Sequence, residues 1–195
     1  MIKVRQNLMT LIFACSSLVS ISCSNLLFYP KNYQILDPRK LGYSPEDVWL
    51  TINEQSNIHA WYFSAEDKVK SKGTIVYFHG NAENLSSHFI SLVWITKFNY
   101  NVLIFDYPGY GRSDGSPSQE NTVLAGQSAI RWAAKKDSRP LIIYGQSLGG
   151  IIATRCVLDL KNDIKFKTLI LDSSFDSYKD VAASVLRKSW ITWIF

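Results

Sequence analysis

The sequence predicts an α/β protein with three layers, α/β/α, in which helices cover both faces of a mostly parallel sheet. Four apolar runs in its second half are continuous rather than alternating, as in strands buried on both faces of a parallel sheet. These runs are residues 74–78, 101–105, 141–145 and 167–171. The stretches between them are long enough for helices, at 84–97, 117–136 and 147–160. Alternating strands and helices predict right-handed crossover connections.

Residues 1–22 have the features of a secretory signal peptide. Lys3 and Arg5 precede an apolar stretch from Leu8 to about Ile21, and the segment contains no acidic residue. The stretch is shorter than the roughly 20 residues that span a bilayer comfortably. We therefore expect a cleaved signal and an exported protein, in the periplasm or anchored at the cell-envelope membrane. A retained membrane anchor is the alternative.

Cys23 is a candidate lipidation site. It ends the run LVSISC, which resembles a bacterial lipobox, with Ser20 where Leu is usual. Lipidation would attach the protein to a membrane through its N-terminus. The other two cysteines are Cys15, inside the apolar stretch, and Cys156, on a predicted helix. This placement predicts no disulfide framework, and Cys156 is expected to be a small buried core residue.

The remaining chain divides into an irregular segment, 23–45, and a partial α/β domain, 46–195. Residues 46–52 and 57–63 alternate in polarity around a turn-like NEQS and predict an antiparallel strand pair. Ser116, Pro117 and Gln119 match an N-cap, a first-turn proline and a capping-box partner for the second helix. A last helical stretch is expected from about Asp176 to Lys188.

Composition argues against several classes of protein. The 195 residues are 47% apolar and 19% charged, with a formal net charge of +5, which is typical of one globular domain. The basic residues are dispersed and form no run interleaved with aromatics, so we expect no nucleic-acid partner. Neither a metal-binding cluster nor a nucleotide-binding loop is evident. We therefore expect no metal and no cofactor.

The strongest catalytic signal is the motif Gly145-Gln146-Ser147-Leu148-Gly149. It follows an apolar strand directly and runs into a predicted helix. A sharp strand-to-helix turn of this kind holds its serine strained and exposed, and glycines two positions away avoid clashes. Ser147 is therefore the candidate nucleophile, with the N–H of Leu148 facing a developing oxyanion. The alternative is a serine that only caps the helix.

A second signal, HGNAEN at residues 79–84, lies where the first parallel strand ends. Gly80 would let the backbone approach the serine closely. The segment resembles the oxyanion loop of α/β-hydrolases, and we assign the second donor to the N–H of Asn81, with Ala82 as the neighbouring alternative. We expect His79 to orient this loop through a hydrogen bond rather than to act as the general base. His59 and His88 are not expected to reach Ser147.

A third loop, DYPGYGRSDG at residues 106–115, completes the pattern. The order of the three motifs resembles that of the α/β-hydrolase superfamily, over about residues 46–188. The sequences of the motifs are most similar to those of the serine-aminopeptidase-like branch, which includes membrane-associated esterases and thioesterases. In such loops Asp106 and Arg112 are structural residues that fix the turn by hydrogen bonds.

The resemblance implies a serine hydrolase that acts on an ester, thioester or amide through an acyl-enzyme on Ser147. In this superfamily an acid and then a histidine follow the serine along the chain, usually after the seventh and eighth strands. The sequence ends shortly after what would be the sixth strand. The acid and the histidine are therefore expected beyond residue 195, and the activity of the chain is expected to be impaired. The alternatives are a non-catalytic membrane-tethered lipoprotein domain and a non-functional fragment. An acyl or other small-molecule substrate is the expected partner.

Overall fold

The structure is a computed structural model that describes residues 27–53, 56–139 and 141–178. The signal segment, Cys23 and nearly all of the predicted last helix lie outside these ranges. The eight strands of the described ranges are β1 (Tyr29–Pro30), β2 (Glu46–Asn53), β3 (Ser56–Phe63), β4 (Thr74–Phe78), β5 (Ala82–Glu83), β6 (Asn101–Phe105), β7 (Leu141–Gln146) and β8 (Phe166–Asp172). The α-helices there are α1 (Leu85–His88), α2 (Gln119–Lys136) and α3 (Leu148–Leu160). Shorter 3-10 turns cover Pro38–Leu41, Phe89–Ser91 and Val93–Phe98.

Six of the strands form one sheet in the order β2-β3-β6-β4-β7-β8. β2 and β3 are antiparallel, β3 joins β6 in the antiparallel sense, and the remaining neighbours are parallel. The predicted strands are confirmed, because every continuous apolar run and both alternating runs lie on this sheet. The predicted mostly parallel sheet and fold class are likewise confirmed.

The two faces of the sheet bury different residues of the same strands. Val76 and Phe78 of β4 pack in a cluster with α2 and α3. Ile75 and Tyr77 point to the other face and pack with the residues of segment 85–98. All five residues of β4 are buried, which explains why its sequence shows no alternation. The layers are therefore helix, sheet and helix.

The predicted helix 84–97 is wrong in its regularity. One turn of α-helix, α1, gives way to two 3-10 turns. Side-chain hydroxyls here bond to the backbone three residues earlier: Ser91 Oγ donates to the His88 carbonyl and Thr96 Oγ1 to the Val93 carbonyl, each at 2.8 Å. Such bonds, together with β-branched and aromatic side chains, compete with the α-helical pattern.

The N-cap of α2 is Ser118 rather than the expected Ser116. The Ser118 hydroxyl accepts a hydrogen bond from the Asn121 N–H at 3.0 Å. Pro117 therefore precedes the helix instead of opening it. The sequence offers two serines two positions apart, and only the backbone geometry distinguishes them.

The N-terminal segment forms a small parallel sheet that the sequence does not predict. Tyr29 pairs with Ala82 and Pro30 with Glu83. Two-residue strands are too short to show a hydrophobic period. A search of the described residues finds no helix that is long and apolar enough to cross a membrane.

Candidate active site

Ser147 occupies a strained turn between β7 and α3. Its φ of 51° and ψ of −120° lie in a region that non-glycine residues rarely adopt. A Cβ added at Gly145 would lie 2.6 Å from the Gly150 Cα, and one at Gly149 would collide with the carbonyl oxygen of Phe78. The two glycines thus let the turn pack against its own helix and against β4, as expected of a nucleophile elbow.

The end of β8, the first turn of α3 and Ser174 hold the backbone of Ser147 on both sides. Its N–H donates to the Asp172 carbonyl at 2.9 Å. Its carbonyl accepts from the Gly150 N–H at 3.0 Å and from the Ser174 hydroxyl at 3.1 Å. These three bonds stabilise a conformation that costs about 1–3 kcal/mol on its own.

The loop at residues 79–84 lies beside the serine because β4 and β7 are parallel neighbours whose carboxyl ends meet. Phe78 is paired with Gly145, so residues 79–83 follow at the same edge as Ser147. A Cβ added at Gly80 would lie 3.8 Å from the Ser147 Cβ, which is ordinary contact. The loop therefore approaches the serine closely, and Asn81 follows at once. Leu148 opens α3, as predicted.

Three hydrogen bonds fix Asn81 in place. Its carbonyl accepts from the Tyr110 hydroxyl at 2.6 Å and from the Tyr29 N–H at 3.1 Å. Its side-chain amide donates to the Leu27 carbonyl at 3.1 Å. The backbone N–H, the proposed oxyanion donor, belongs to a residue whose backbone carbonyl and side-chain NH2 group are thus already bonded.

His79 orients the loop, as the sequence predicts. The side chain is fully buried, and its Nδ1 lies 2.7 Å from the Gly80 carbonyl oxygen. Its Nε2 lies 3.3 Å from Asp106 Oδ1, without the alignment of a hydrogen bond. Tyr107 donates its hydroxyl to the His79 carbonyl at 2.9 Å. His79 therefore supports the loop from a buried position.

Asp106 is structural, as expected, and Arg112 differs from the expectation. Asp106 Oδ1 accepts from the Leu85 N–H at 2.7 Å, so the carboxylate holds the first turn of α1. Arg112 reaches away from its own turn, with its guanidinium 5.1 Å from the centre of the Trp49 ring and 3.5 Å from Asp47. It connects the loop to β2.

His88 lies closer to the serine than its position on a helix suggested. A Cβ added at Gly80 would lie 3.7 Å from the His88 Cε1 and 3.8 Å from the Ser147 Cβ. The ring stacks on His79 at 5.0 Å, and its Nε2 lies 2.9 Å from the Ala82 carbonyl oxygen. Burial lowers the pKa of His88, and the neighbouring His79 lowers it further.

Sequence reasoning missed several polar residues that support the elbow. Tyr77 donates to Gln146 Oε1 at 2.8 Å, and burial raises the pKa of this tyrosine to about 12. Tyr144 donates to Asp172 at 2.6 Å, and this bond lowers the pKa of Asp172. Both tyrosines stand inside apolar strands, where nothing in the sequence separates them from packing residues. Asp172 also accepts a hydrogen bond from the Ser173 hydroxyl at 2.9 Å.

No metal site is found in ranges 27–53, 56–139 and 141–178, where no group of three or more His, Cys, Asp or Glu side chains could hold an ion. Cys156 is fully buried on α3, as predicted, with its thiol 3.4 Å from the Val123 carbonyl.

Comparison with known proteins finds relatives over most of the chain. The family model described as serine aminopeptidase, S33, matches residues 69–194. The uncharacterized protein YfhR of Escherichia coli K12 is 33% identical over 180 residues, which cover 88% of this chain and 61% of YfhR. The α/β hydrolase domain-containing protein WAV2 of Arabidopsis thaliana is 33% identical over 161 residues, covering 80% of this chain and 51% of WAV2. The lysophosphatidylserine lipase ABHD12 of Mus musculus is 33% identical over 156 residues, covering 72% of this chain and 38% of ABHD12.

Solved structures show the same fold. The Pyrococcus furiosus esterase Pf2001 superimposes with a TM-score of 0.65 at 21% identity, covering 83% of this chain and 61% of the esterase. An α/β hydrolase from Vibrio vulnificus gives a TM-score of 0.60 at 18% identity, covering 76% and 56%. The chain spans 61% to 64% of the length of the YfhR proteins that it matches.

Proposed function

Because the chain belongs to the serine aminopeptidase S33 family of α/β-hydrolases, we propose that it is a serine hydrolase with Ser147 as its nucleophile. The substrate is an ester, thioester or amide, and Ser147 Oγ attacks its carbonyl carbon. The bond to the alcohol, thiol or amine breaks, this group leaves with the proton that the serine gives up through the base, and water hydrolyses the acyl-enzyme to the free acid. The observation that carries the proposal is the strained backbone of Ser147, since a φ of 51° persists only where the surroundings enforce it.

The N–H groups of Leu148 and Asn81 are the proposed oxyanion hole. Leu148 contributes one of the first N–H groups of α3, which have no partner within the helix. Asn81 contributes the second from a loop whose position Tyr110 and Leu27 fix. Donors held rigidly in this way stabilise the charge that develops on the carbonyl oxygen.

The general base in this proposal is none of the three histidines of the sequence. His59 lies 2.7 Å from Asp47 on the hairpin, His79 bonds to the Gly80 carbonyl and His88 to the Ala82 carbonyl. We propose that the acid and the base belong to the part of the fold that the longer relatives contain in addition. The chain by itself would then retain only the acceleration due to the oxyanion hole and binding, about 10³ to 10⁴-fold.

A fluorophosphonate probe tests the nucleophile. We expect slow labelling of Ser147 in this chain and much faster labelling when the chain is extended by the C-terminal region of YfhR that lies beyond the match. Peptide mass spectrometry locates the label, and Ser147→Ala is the control that should remove it. A folded extended protein that stays unlabelled, or labelling that survives Ser147→Ala, would contradict the proposal.

A non-catalytic binding domain is the second candidate. It is favoured by one observation, the engagement of all three histidines with partners other than Ser147. The two proposals differ in the effect of Ser147→Ala in the producing cell, because a binding role predicts an unchanged phenotype and a hydrolase predicts its loss.

A further inference from the structure

The described chain begins against the candidate active site. The carbonyl of Leu27 accepts the hydrogen bond from the Asn81 side chain, and Leu27 and Phe28 are both buried. Two residues later, the Tyr29 N–H donates to the Asn81 carbonyl. The N-terminal segment is thus bonded to the residue proposed as an oxyanion donor, and it enters the domain at that edge of the sheet.

The following residues continue along the same edge. The Lys31 carbonyl accepts from the Asn84 side chain at 2.9 Å and from the Gly111 N–H at 2.8 Å. Asn84 also donates to the Tyr33 carbonyl at 2.8 Å. Asn84 is the N-cap of α1, which directly follows the oxyanion loop. Residues 27–33 are therefore a fixed border of the candidate active site.

The position of Cys23 along the chain limits its distance from this border. Cys23 lies outside the described residues, but four residues of polypeptide span at most about 14 Å. An apolar stretch from Leu8 to about Ile21 comes immediately before it. A lipid on Cys23 would therefore bring a membrane to within about 14 Å of Leu27, and a retained anchor that ends at about Ile21 would bring it to within about 22 Å.

The N-terminal segment, residues 27–45, also exposes side chains that suit a membrane surface. Tyr29, Tyr33 and Leu36 are 43%, 59% and 36% exposed. Tyrosine is enriched at membrane interfaces, where its ring and hydroxyl meet apolar and polar surroundings. Residues 27–45 carry three basic side chains and one acidic, a balance that attracts anionic lipid headgroups; these are Lys31, Arg39, Lys40 and Asp37.

We propose that the N-terminal segment holds the domain with its Ser147 edge against a lipid bilayer, where residues 29–36 contact the headgroups. The site would then receive acyl esters from the membrane surface rather than from bulk solution. This choice of substrate class rests on the proposed hydrolase function, whereas the orientation of the domain does not.

Two cysteine variants report the orientation in the full chain. Asn32→Cys places a fluorophore on the border, and Val69→Cys places one on the loop that leads into the opposite end of β4, where the side chain is 92% exposed. The five residues of β4 separate the two edges by about 16 Å. Both variants carry Cys15→Ser, keep Cys23 as part of the tether, and are reconstituted into phosphatidylcholine and phosphatidylglycerol vesicles. The parent protein with Cys15→Ser alone gives the background.

Lipids with a quencher on the headgroup should quench the Asn32→Cys label about threefold or more over the Val69→Cys label, because quenching requires close approach and the labels lie at opposite edges of the sheet, which β4 separates by about 16 Å. Equal quenching, or stronger quenching of the Val69→Cys label, would overturn the proposal. The second result would point to the exposed Trp94 and Phe98 as the contact instead. Failure of the protein to float with the vesicles would also overturn it.

Fluorophosphonate labelling of the same samples separates this inference from the proposed function. Preferential quenching of the Asn32→Cys label without labelling of Ser147 would reject the hydrolase and its lipid substrate and support the orientation. Labelling of Ser147 with equal quenching would support the hydrolase and reject the orientation.

Discussion

Ser174 donates its hydroxyl to the carbonyl oxygen of Ser147 at 3.1 Å, so a residue that follows the edge strand β8 holds the candidate nucleophile. The contact is tight on its other side as well, because a Cβ at Gly150 would collide with the Ser174 side chain. The geometry of the elbow therefore depends on residues 27 positions further along the chain.

Replacing Ser174 by alanine should disturb the nucleophile more than the fold. We expect Ser174→Ala to lower the free energy of unfolding by about 1 kcal/mol, the usual contribution of one hydrogen bond. Fluorophosphonate labelling of Ser147 should slow as well, since the serine loses one of the bonds that fix it. Urea unfolding and the labelling rate measure the two effects, and Ser174→Thr should restore both.

The matched control for Ser174→Ala is Ser128→Ala on α2, which also loses one hydrogen bond from a hydroxyl to a backbone carbonyl, that of Thr51 at 3.1 Å. It should affect stability to a similar or smaller extent and leave labelling unchanged. Equal slowing of labelling by both variants would show that Ser174 has no specific influence on Ser147.

Two glycines near Ser147 should respond differently to alanine. Gly149→Ala puts a methyl group into the backbone carbonyls of Phe78 and His79, which cannot move without displacing β4. We expect the free energy of unfolding of Gly149→Ala to be lower by about 3 kcal/mol or more. Gly80→Ala makes only contacts of 3.7 to 4.0 Å and should change stability by less than about 1 kcal/mol.

Labelling separates the two glycine variants further. The new methyl group of Gly80→Ala would stand 3.8 Å from the Ser147 Cβ, in the space that a bound carbonyl needs, so a folded Gly80→Ala protein should label slowly. Thermal unfolding and labelling at 20 °C below the midpoint would be compared. A stable Gly149→Ala protein would show that the packing of the elbow against β4 is looser than described.

Cys156 should be inert while the protein is folded. The thiol is fully buried, and burial raises its pKa to about 12, so at pH 8 only about one thiol in 10⁴ is ionised. In a Cys15→Ser, Cys23→Ser background, a chromogenic disulfide reagent should react only at urea concentrations that unfold the chain. Rapid reaction in buffer would contradict the burial of this residue.

The half-buried ring of His88 should make stability sensitive to acid. Because desolvation lowers the pKa of His88 below 6.5, the unfolded chain binds its proton more tightly than the folded protein. The contribution is present above pH 6.5 and is lost as pH falls from 6.5 through the lower folded pKa. His79 opposes protonation of His88, and Glu83 favours it.

His88→Gln removes this titration. Urea unfolding at pH 7.5, 6.5 and 5.5 should show a smaller decline with acid in the variant than in the parent, although both keep His59 and His79. Parallel declines in the two proteins would show that His88 is already charged, or freely solvated, in the folded state.

The sequence predicts the sheet well because burial on both faces leaves a clear pattern. Residues 74–78 and 101–105 are strands with the predicted ends, and the motif around Ser147 occupies the predicted turn. Both features depend on local residue choice, either continuous apolar residues or glycines where a Cβ would collide.

What the sequence could not predict depends on contacts between distant residues. The hydroxyls of Tyr77, Tyr110 and Ser174 all bond near the elbow, but each comes from a different element. The pairing of Tyr29 with Ala82 joins residues 53 positions apart through two residue pairs. The position of His88 follows from α1 being only one turn long, and its hydroxyl-rich sequence reads equally well as a longer helix.

In the described part of the chain, β8 is one of the two edge strands of the sheet, and its last residue, Asp172, and Ser174 just beyond it hold Ser147. Ile170 and Leu171 on this strand are 43% and 50% exposed. A strand added along β8 would therefore brace the nucleophile mechanically as well as extend the sheet. Asp172 and Ser174 would thus link the rigidity of this edge strand to the conformation of Ser147.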